Sequence, residues 1–390
     1  MFGAILLVLI LASWCYWLAA LILVYDFFRP RPDRVPDFAP PVSVLKPVKG
    51  ADFEAYENFA SFCQQDYPDY EVLFGVADAS DPIIPVIERL RHDFPDRQIR
   101  LVVAAAWGSN RKASLLQHLA EAAEHAVIVV SDSDMRVTPA YLKRVVAPLA
   151  DPQVGLVTCP YQGRRAMTLT ARLEALHMGV TFLPSVIVAR KVLNMRFAMG
   201  ATVALRRHEL ARIGGFAALS DYLADDYQLG ARVAALGLKV RLSDYAVSCI
   251  LGATTFAEQW AREVRWMRCS RVSRPLEYPG LLLSFSTPLS ALLVVIDGAG
   301  QTNLRVLLVS LLLRWAVAWL VSLRTGDHEV RRWLYWLPVR DLLSAATWLV
   351  GGFGRRISWR GETFVLQADG RMQVATPPVE EKRYRRLRWL

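Results

Sequence analysis

The chain has 390 residues, 54% of them apolar, with a formal net charge of +10. This is long enough for one large domain plus membrane segments, and a mean hydropathy of +0.25 indicates that part of it is not in water. The five cysteines (Cys15, Cys63, Cys159, Cys249, Cys269) are odd in number and scattered without C-x-x-C spacing, which argues against a disulfide framework or a zinc site and for reduced thiols. No pair of histidines forms H-E-x-x-H, and no nucleic-acid module is present, so no nucleic-acid partner is expected.

Residues 2–25 are apolar with no charge before Asp26, a length that spans a bilayer. No Lys or Arg precedes this run, which argues against a cleaved signal peptide. We therefore expect a membrane anchor over residues 1–28. Arg29, Arg31 and Arg34 follow it and put the next segment in the cytoplasm by the positive-inside rule. Residues 29–41 are rich in proline and read as a stiff linker.

From residue 42 the pattern alternates between strand and helix. Strands are predicted over Val42–Leu45, Glu71–Ala77, Ile99–Val103 and Ala126–Val130, and helices over Glu54–Gln64, Ile83–Phe94 and Lys112–Ala122. Such alternation predicts an α/β domain, residues 42–275, with a mostly parallel sheet. Ligands of such sheets bind at the carboxyl ends of the strands. After about residue 280 the chain turns apolar again, in Leu281–Ile296, Leu304–Leu323 and Trp333–Val350. These define residues 281–353 as a region of transmembrane or re-entrant helices. Arg314 lies inside the second run, and an intramembrane charge should face protein or water. If all three spanned, the basic tail from Arg355 would lie outside, against the positive-inside rule, so one of them, 333–350, is expected to be re-entrant or interfacial. The remainder, 354–390, is a basic cytoplasmic tail. Within it Ile357–Met372 alternates and carries Ala368-Asp-Gly, the pattern of a short hairpin. Basic residues crowd beside the apolar runs (Arg331, Arg332, Arg355, Arg356, Arg360) and at the C-terminus (Lys382, Arg383, Arg385, Arg386, Arg388), which suits anionic lipid headgroups.

Four segments carry candidate chemistry. Val127-Ile-Val-Val-Ser-Asp-Ser-Asp-Met-Arg136 is an apolar strand running into Asp132-x-Asp134. Two carboxylates one residue apart can contact a ribose and a hard divalent ion such as Mg²⁺ or Mn²⁺, although a solvated acidic turn has the same composition. Asp78 ends another apolar strand, where it could read a base or ribose or simply cap the next turn. In Ala224-Asp-Asp-Tyr-Gln-Leu-Gly230 the adjacent carboxylates of Asp225 and Asp226 repel, which favours a raised pKa and a general base. Two acids at a helix start are also favoured by the dipole alone. In Arg262-Glu-Val-Arg-Trp266 the two arginines are three apart on a helix face and could grip a diphosphate. A basic amphipathic helix on a membrane surface fits the same residues.

Taken in order, Asp78, Asp132-x-Asp134, Asp225-Asp226 and Arg262-x-x-Arg265-Trp266 resemble the "D, D, D, (Q/R)xxRW" pattern of family 2-like inverting glycosyltransferases. More closely, the chain resembles the ceramide glucosyltransferase family and its bacterial relatives, including hopanoid-linked sugar transferases. Val42-Ser-Val-Leu-Lys-Pro-Val-Lys-Gly50, Asp66-Tyr-Pro, Val154-Gly-Leu-Val157, Gly214-Gly-Phe216 and Ile357-Ser-Trp-Arg-Gly361 add to the likeness, which runs from about 42 to 275 and resumes in the tail. The resemblance implies a GT-A fold, a UDP-sugar donor, a divalent metal and transfer of a hexose to a lipid hydroxyl with inversion. By the same resemblance Asp78 and Lys112 would lie at the nucleotide, and Asp132 and Asp134 at the ribose and the metal-bound diphosphate. Asp225 would contact substrate, Asp226 would be the base, and Arg262, Arg265 and Trp266 would close over diphosphate and acceptor. The implied acceptors are a ceramide or, alternatively, a hopanoid polyol, and the implied location is a bacterial inner membrane. Animal ceramide enzymes carry Asp-Ser-Gly where this chain has Asp132-Ser-Asp134, and Lys-x-Asn-Asn where it has Lys112-Ala-Ser-Leu. Polymerising synthases of the cellulose or hyaluronan type share the four motifs, but three or four apolar segments make a poor product channel. A non-catalytic membrane scaffold would predict decay of an acidic motif, and all are intact.

Overall fold

The computed structural model describes residues 2–29, 38–192, 196–359 and 361–375. Most of the proline-rich linker, with Arg31 and Arg34, lies outside these residues, as do Arg360 and the basic C-terminal cluster.

In chain order the strands are β1 (Val42–Pro47), β2 (Tyr70–Val76), β3 (Gln98–Val103), β4 (Val127–Ser131), β5 (Met135–Arg136), β6 (Val154–Thr158), β7 (Tyr161–Ala166), β8 (Thr202–Arg206), β9 (Lys239–Leu242) and β10 (Val247–Gly252). A seven-stranded sheet runs β3-β2-β1-β4-β8-β6-β9. The pairs β2/β3, β1/β2, β1/β4 and β6/β9 are parallel, and only the two pairs made by β8 are antiparallel. The expected mostly parallel sheet is therefore present. β1, β2 and β4 are buried along their whole length, as strands covered by helices on both faces must be. Helices Ala55–Cys63, Ile84–Asp93 and Arg111–Ala122 connect them, within a residue or two of the predicted bounds. The chain leaves β1 toward β2 and β3, then returns to place β4 on the other side of β1. That reversal opens a crevice at the carboxyl ends of β1 and β4.

Among the described residues three helices are long and apolar enough to cross a membrane by length and composition: Phe2–Phe27, Leu169–Val192 and Gln301–Arg324. The first and third were expected. The second is not a simple apolar run; it carries Glu174 and His177, and more than half of it is buried in the protein. Tyr278–Ser284 and Ser286–Asp297 form a pair bent by 76°. Segment 333–350 folds as a short turn, Leu334–Trp336, followed by the helix Leu337–Gly351. The polar face of the first helix points inward. Trp14 Nε1 donates to Ser310 Oγ at 2.7 Å, Tyr16 to Ser185 Oγ at 2.8 Å and Trp17 Nε1 to the Ser284 carbonyl at 3.2 Å. Arg314 faces protein, as its cost in an apolar helix requires. It is 1% exposed, bonds Asp341 through two nitrogens at 2.8 and 3.0 Å, and lies over the Trp17 ring.

The predicted tail hairpin is a three-stranded antiparallel meander, β11 (Arg356–Trp359), β12 (Glu362–Leu366) and β13 (Met372–Val374), with Asp369-Gly370 in the second turn. Ile357, Phe364, Leu366 and Met372 form its own small core against Leu223 and Val272.

Candidate active site

Lys112, Asp132, Asp225 and Asp226 converge at the carboxyl end of the central strands. Asp132 follows β4 directly. Lys112 comes from the first turn of Arg111–Ala122, a helix started by Asn110, whose side chain accepts from Ala113 N at 3.1 Å. A cation in the first helical turn opposes the dipole, so its position needs compensating anions. They are present: Lys112 Nζ is 2.6 Å from Asp132 Oδ1 and 3.9 Å from Asp225 Oδ2. Burial works against the ammonium, but the two carboxylates outweigh it and the Lys112 pKa is raised.

Asp225 and Asp226 open the helix Asp225–Ala235. Asp226 Oδ2 accepts from Gly200 N at 2.8 Å and Oδ1 from Tyr227 N at 2.7 Å. Both oxygens are thus oriented by backbone, each with a lone pair to spare. Burial, and then the Asp225 charge, lift its pKa to about 6 despite these bonds and Lys112. Gly200 sits at the centre. A Cβ built on it would lie 3.4 Å from Asp226 Oδ2, 3.4 Å from Lys112 Nζ and 3.5 Å from Asp132 Oδ2. The three charged groups therefore share a small polar cradle over a residue without a side chain.

Asp134 lies beside this cradle, where its Oδ2 accepts from the Cys249 thiol at 3.5 Å. Burial and the charges of Asp132 and Asp52 push its pKa up to about 6. Among the described residues no group of three or more His, Cys, Asp or Glu side chains converges to hold a metal. A hard divalent ion that bridges phosphates needs only one or two carboxylates, and the mutually repelling Asp132 and Asp134 fit that requirement.

The remaining predicted residues make further contacts around the cradle. Asp78, at the carboxyl end of β2, is exposed and accepts from Ser80 N and Oγ, both at 2.8 Å, and these bonds hold its carboxyl below the usual range. Arg262 Nη2 donates to Glu174 Oε2 at 2.7 Å. Arg265 lies 5.9 Å from the Trp359 ring of the tail meander. Trp266 packs on the main core and stacks on His177 with ring centroids 6.4 Å apart. The two arginines of the motif thus engage different partners.

Two residues of the site escaped the sequence reading. Lys46, at the end of β1, is fully buried and donates from Nζ to the Asp132 carbonyl at 2.8 Å, which fixes the turn after β4. Burial lowers its pKa to about 7, with Asp132 and Asp134 resisting. A lone charge inside a short, mostly apolar strand was the available signal. Gly200 gave none, because its role depends on what folds around it.

The profile of glycosyl transferase family 21 matches residues 5–372. Ceramide glucosyltransferase 1 of Caenorhabditis elegans is 23% identical over 94% of this chain and 82% of its own length. Ceramide glucosyltransferase 3 of the same organism is 25% identical over 59% of this chain and 50% of its own length. Among solved structures, a mannosyltransferase from Pyrobaculum calidifontis in complex with GDP-Man and Mn²⁺ superposes with a TM-score of 0.56 at 19% identity, over 90% of this chain and 99% of that one. That likeness is one of fold.

Proposed function

The chain belongs to glycosyl transferase family 21, and from that premise we propose that it transfers a hexose from a UDP-sugar to the hydroxyl of a membrane lipid, with inversion. The observation that carries the reading is the cradle of Lys112, Asp132 and Asp226 around Gly200, at the sheet crevice where a nucleotide would bind. The apolar helices support a lipid acceptor, because an enzyme held in the bilayer meets such a substrate by lateral diffusion. The catalytic domain faces the cytoplasm in this reading.

Asp226 takes the proton of the acceptor hydroxyl. Its two backbone hydrogen bonds hold the carboxylate in place, and its raised pKa suits a base working near neutrality. The acceptor oxygen forms a bond to the anomeric carbon as the carbon–phosphate oxygen bond breaks, and UDP leaves with that electron pair. Lys112 and Lys46 keep Asp132 and its turn in position. Asp132 and Asp134 would hold a Mg²⁺ or Mn²⁺ ion, which when bound neutralises charge on the departing diphosphate. The mannosyltransferase solved with GDP-Man and Mn²⁺ supports metal use on this fold. Asp78 borders the nucleotide, while Arg262, Arg265 and Trp266 border the diphosphate and acceptor.

The test is UDP release by the purified full-length protein in vesicles, with a panel of UDP-sugars and a total lipid extract, followed by mass spectrometry of the lipids. The expected product is one sugar per lipid, formed only with divalent metal. A long glycan chain, or no lipid product with any donor, overturns the reading.

A further inference from the structure

The two carboxylates assigned to the metal sit on the turn Asp132-Ser133-Asp134, and the segment after β1 holds that turn from outside. Asp52 Oδ2 accepts from Ser133 Oγ at 2.5 Å. Two residues on, Glu54 precedes the helix Ala55–Cys63 with φ 54°, in the left-handed region, and its side chain makes no capping bond there. Its carboxylate is used elsewhere. Oε2 accepts from Arg136 Nη2 at 2.7 Å, and Oε1 accepts from Arg165 Nε at 2.9 Å and also from Arg165 Nη2. Arg136 lies in β5, two residues past Asp134, and its guanidinium also reaches Asn58 Oδ1 at 2.8 and 3.0 Å. Glu54 therefore grips the chain as it leaves the metal turn.

Arg165, in β7, is the other half of the device. Its φ is 57°, and among the described residues it and Glu54 are the only non-glycine residues with positive φ. Such a backbone is unfavourable for any residue with a Cβ and persists where the surroundings over-determine it. Here the two strained residues are bonded to each other. A further element fixes Arg165 as well, for its N–H donates to Glu329 Oε2 at 2.9 Å. Beside it, Arg164 donates to Asp327 Oδ1 at 2.8 Å and to the Gly326 carbonyl at 3.3 Å. Asp327 is 1% exposed and caps the short helix His328–Arg332, which follows the candidate membrane helix Gln301–Arg324. A path of charge-assisted bonds thus runs from the end of that helix, through β7 and Glu54, to the strand that leaves the metal turn. The Arg165 side chain is 52% exposed, and ion pairs so open to water add little stability. Two strained residues joined by such a pair are accounted for by what they position.

We propose that Glu54 is a positioning residue for the Asp132–Asp134 turn, and that Arg165 couples it to the end of the helix Gln301–Arg324, so that the tilt of this helix in the bilayer sets the affinity of the turn for its divalent ion. A helix that tilts to match the bilayer thickness moves its ends. Asp327 and Glu329 move with it, and Arg164 and Arg165 pass the movement to Glu54. The inference rests on the reading that Asp132 and Asp134 hold the metal, and adds a control on that site.

The experiment titrates Mn²⁺ into the full-length protein with UDP in phosphatidylcholine vesicles and follows unbound Mn²⁺ by electron paramagnetic resonance, without turnover. Short-chain and long-chain vesicles are compared for the wild type, Glu54→Gln, Arg165→Gly and Arg165→Lys. Glycine adopts the left-handed backbone readily, so Arg165→Gly removes the ion pair and the strain together. Glu54→Gln and Arg165→Gly should each weaken Mn²⁺ binding about tenfold, the worth of roughly one charge-assisted hydrogen bond. Arg165→Lys should recover part of that loss, and saturating Mn²⁺ should restore kcat in all three variants. The wild type should bind Mn²⁺ with different affinity in the two vesicles, and Arg165→Gly should bind it equally in both. Wild-type Mn²⁺ affinity in both Glu54→Gln and Arg165→Gly overturns the proposal. So does a kcat that stays low at saturating Mn²⁺ with affinity unchanged, which marks the network as structural. Equal affinity of the wild type in the two vesicles overturns the coupling to the helix. If Glu54→Gln does not fold, Arg165→Gly carries the same comparison. A wild type that binds no Mn²⁺ in the presence of UDP overturns the metal assignment of the underlying reading instead, and this inference with it.

Discussion

At the scale of single residues, the proposed mechanism depends on one partly buried carboxylate, that of Asp226. Asp226 is protonated below about pH 6 because burial and Asp225 disfavour its charge. A base must be ionised, so turnover should rise as pH climbs through 6 and level off above it. Asp225→Asn removes a charge that raises the Asp226 pKa, so the acidic limb should move to lower pH; a kcat–pH profile of both proteins checks the sign. Asp226→Asn should lower transfer by about 10²–10⁴-fold, the usual worth of a general base, while UDP binding by calorimetry stays close to wild type. Wild-type turnover in that variant would remove Asp226 from the role. Gly200→Ala makes a different demand. Its methyl would be in ordinary van der Waals contact with Asp226, Lys112 and Asp132, so Tm should hardly move. It fills the cradle, however, and misplacement of this kind costs roughly 100-fold in rate. A variant with normal activity would show that substrate does not enter there.

At the scale of elements, the helix Phe256–Ser273 ties the α/β domain to the rest of the chain. Its start is fixed by a capping box between Thr255 and Glu258. One stripe carries Glu263, whose bidentate bond to Arg340 is almost completely buried. Removing one partner strands the other charge, which costs about 3–5 kcal/mol. Arg340→Met should therefore lower Tm sharply, and adding Glu263→Gln should recover part of the loss. Another stripe holds the tail. Arg271 donates to the Gly352 carbonyl at 2.6 Å, and Arg268 donates to the carbonyls of Phe353 and Arg356. The meander so held reaches back to the site, with Met372 N bonding the Asp221 carbonyl at 2.7 Å and Arg111 meeting Glu362 at 2.6 Å. Truncation after Phe353 exposes Leu223 and Val272 and frees the loop that leads into Asp225. It should lower kcat and open that loop to proteolysis. Unchanged kinetics would make the meander a passive appendage.

At the scale of the whole molecule, the alternation of apolar strands and amphipathic helices determined the α/β class, because side-chain period alone separates the two elements. The sequence likewise placed Asp132 at a strand end and Asp226 at a helix start, since those positions follow from local pattern. It could not show that Lys112, Asp132 and Asp226 meet over Gly200, for their meeting depends on β4 returning beside β1 and on a glycine whose neighbours are 26 or more residues away. Nor could it separate Arg262 from Arg265. Three residues of spacing put them on one helix face, and only the packing of the helix bearing Glu174 on one side and the tail meander on the other gives each a partner of its own. The apolar ends were plain from composition. The decision that the helix Leu169–Val192 is largely interior, and that Arg314 is neutralised by Asp341 27 residues on, belongs to tertiary structure, because burial of a charge is settled by what packs against it.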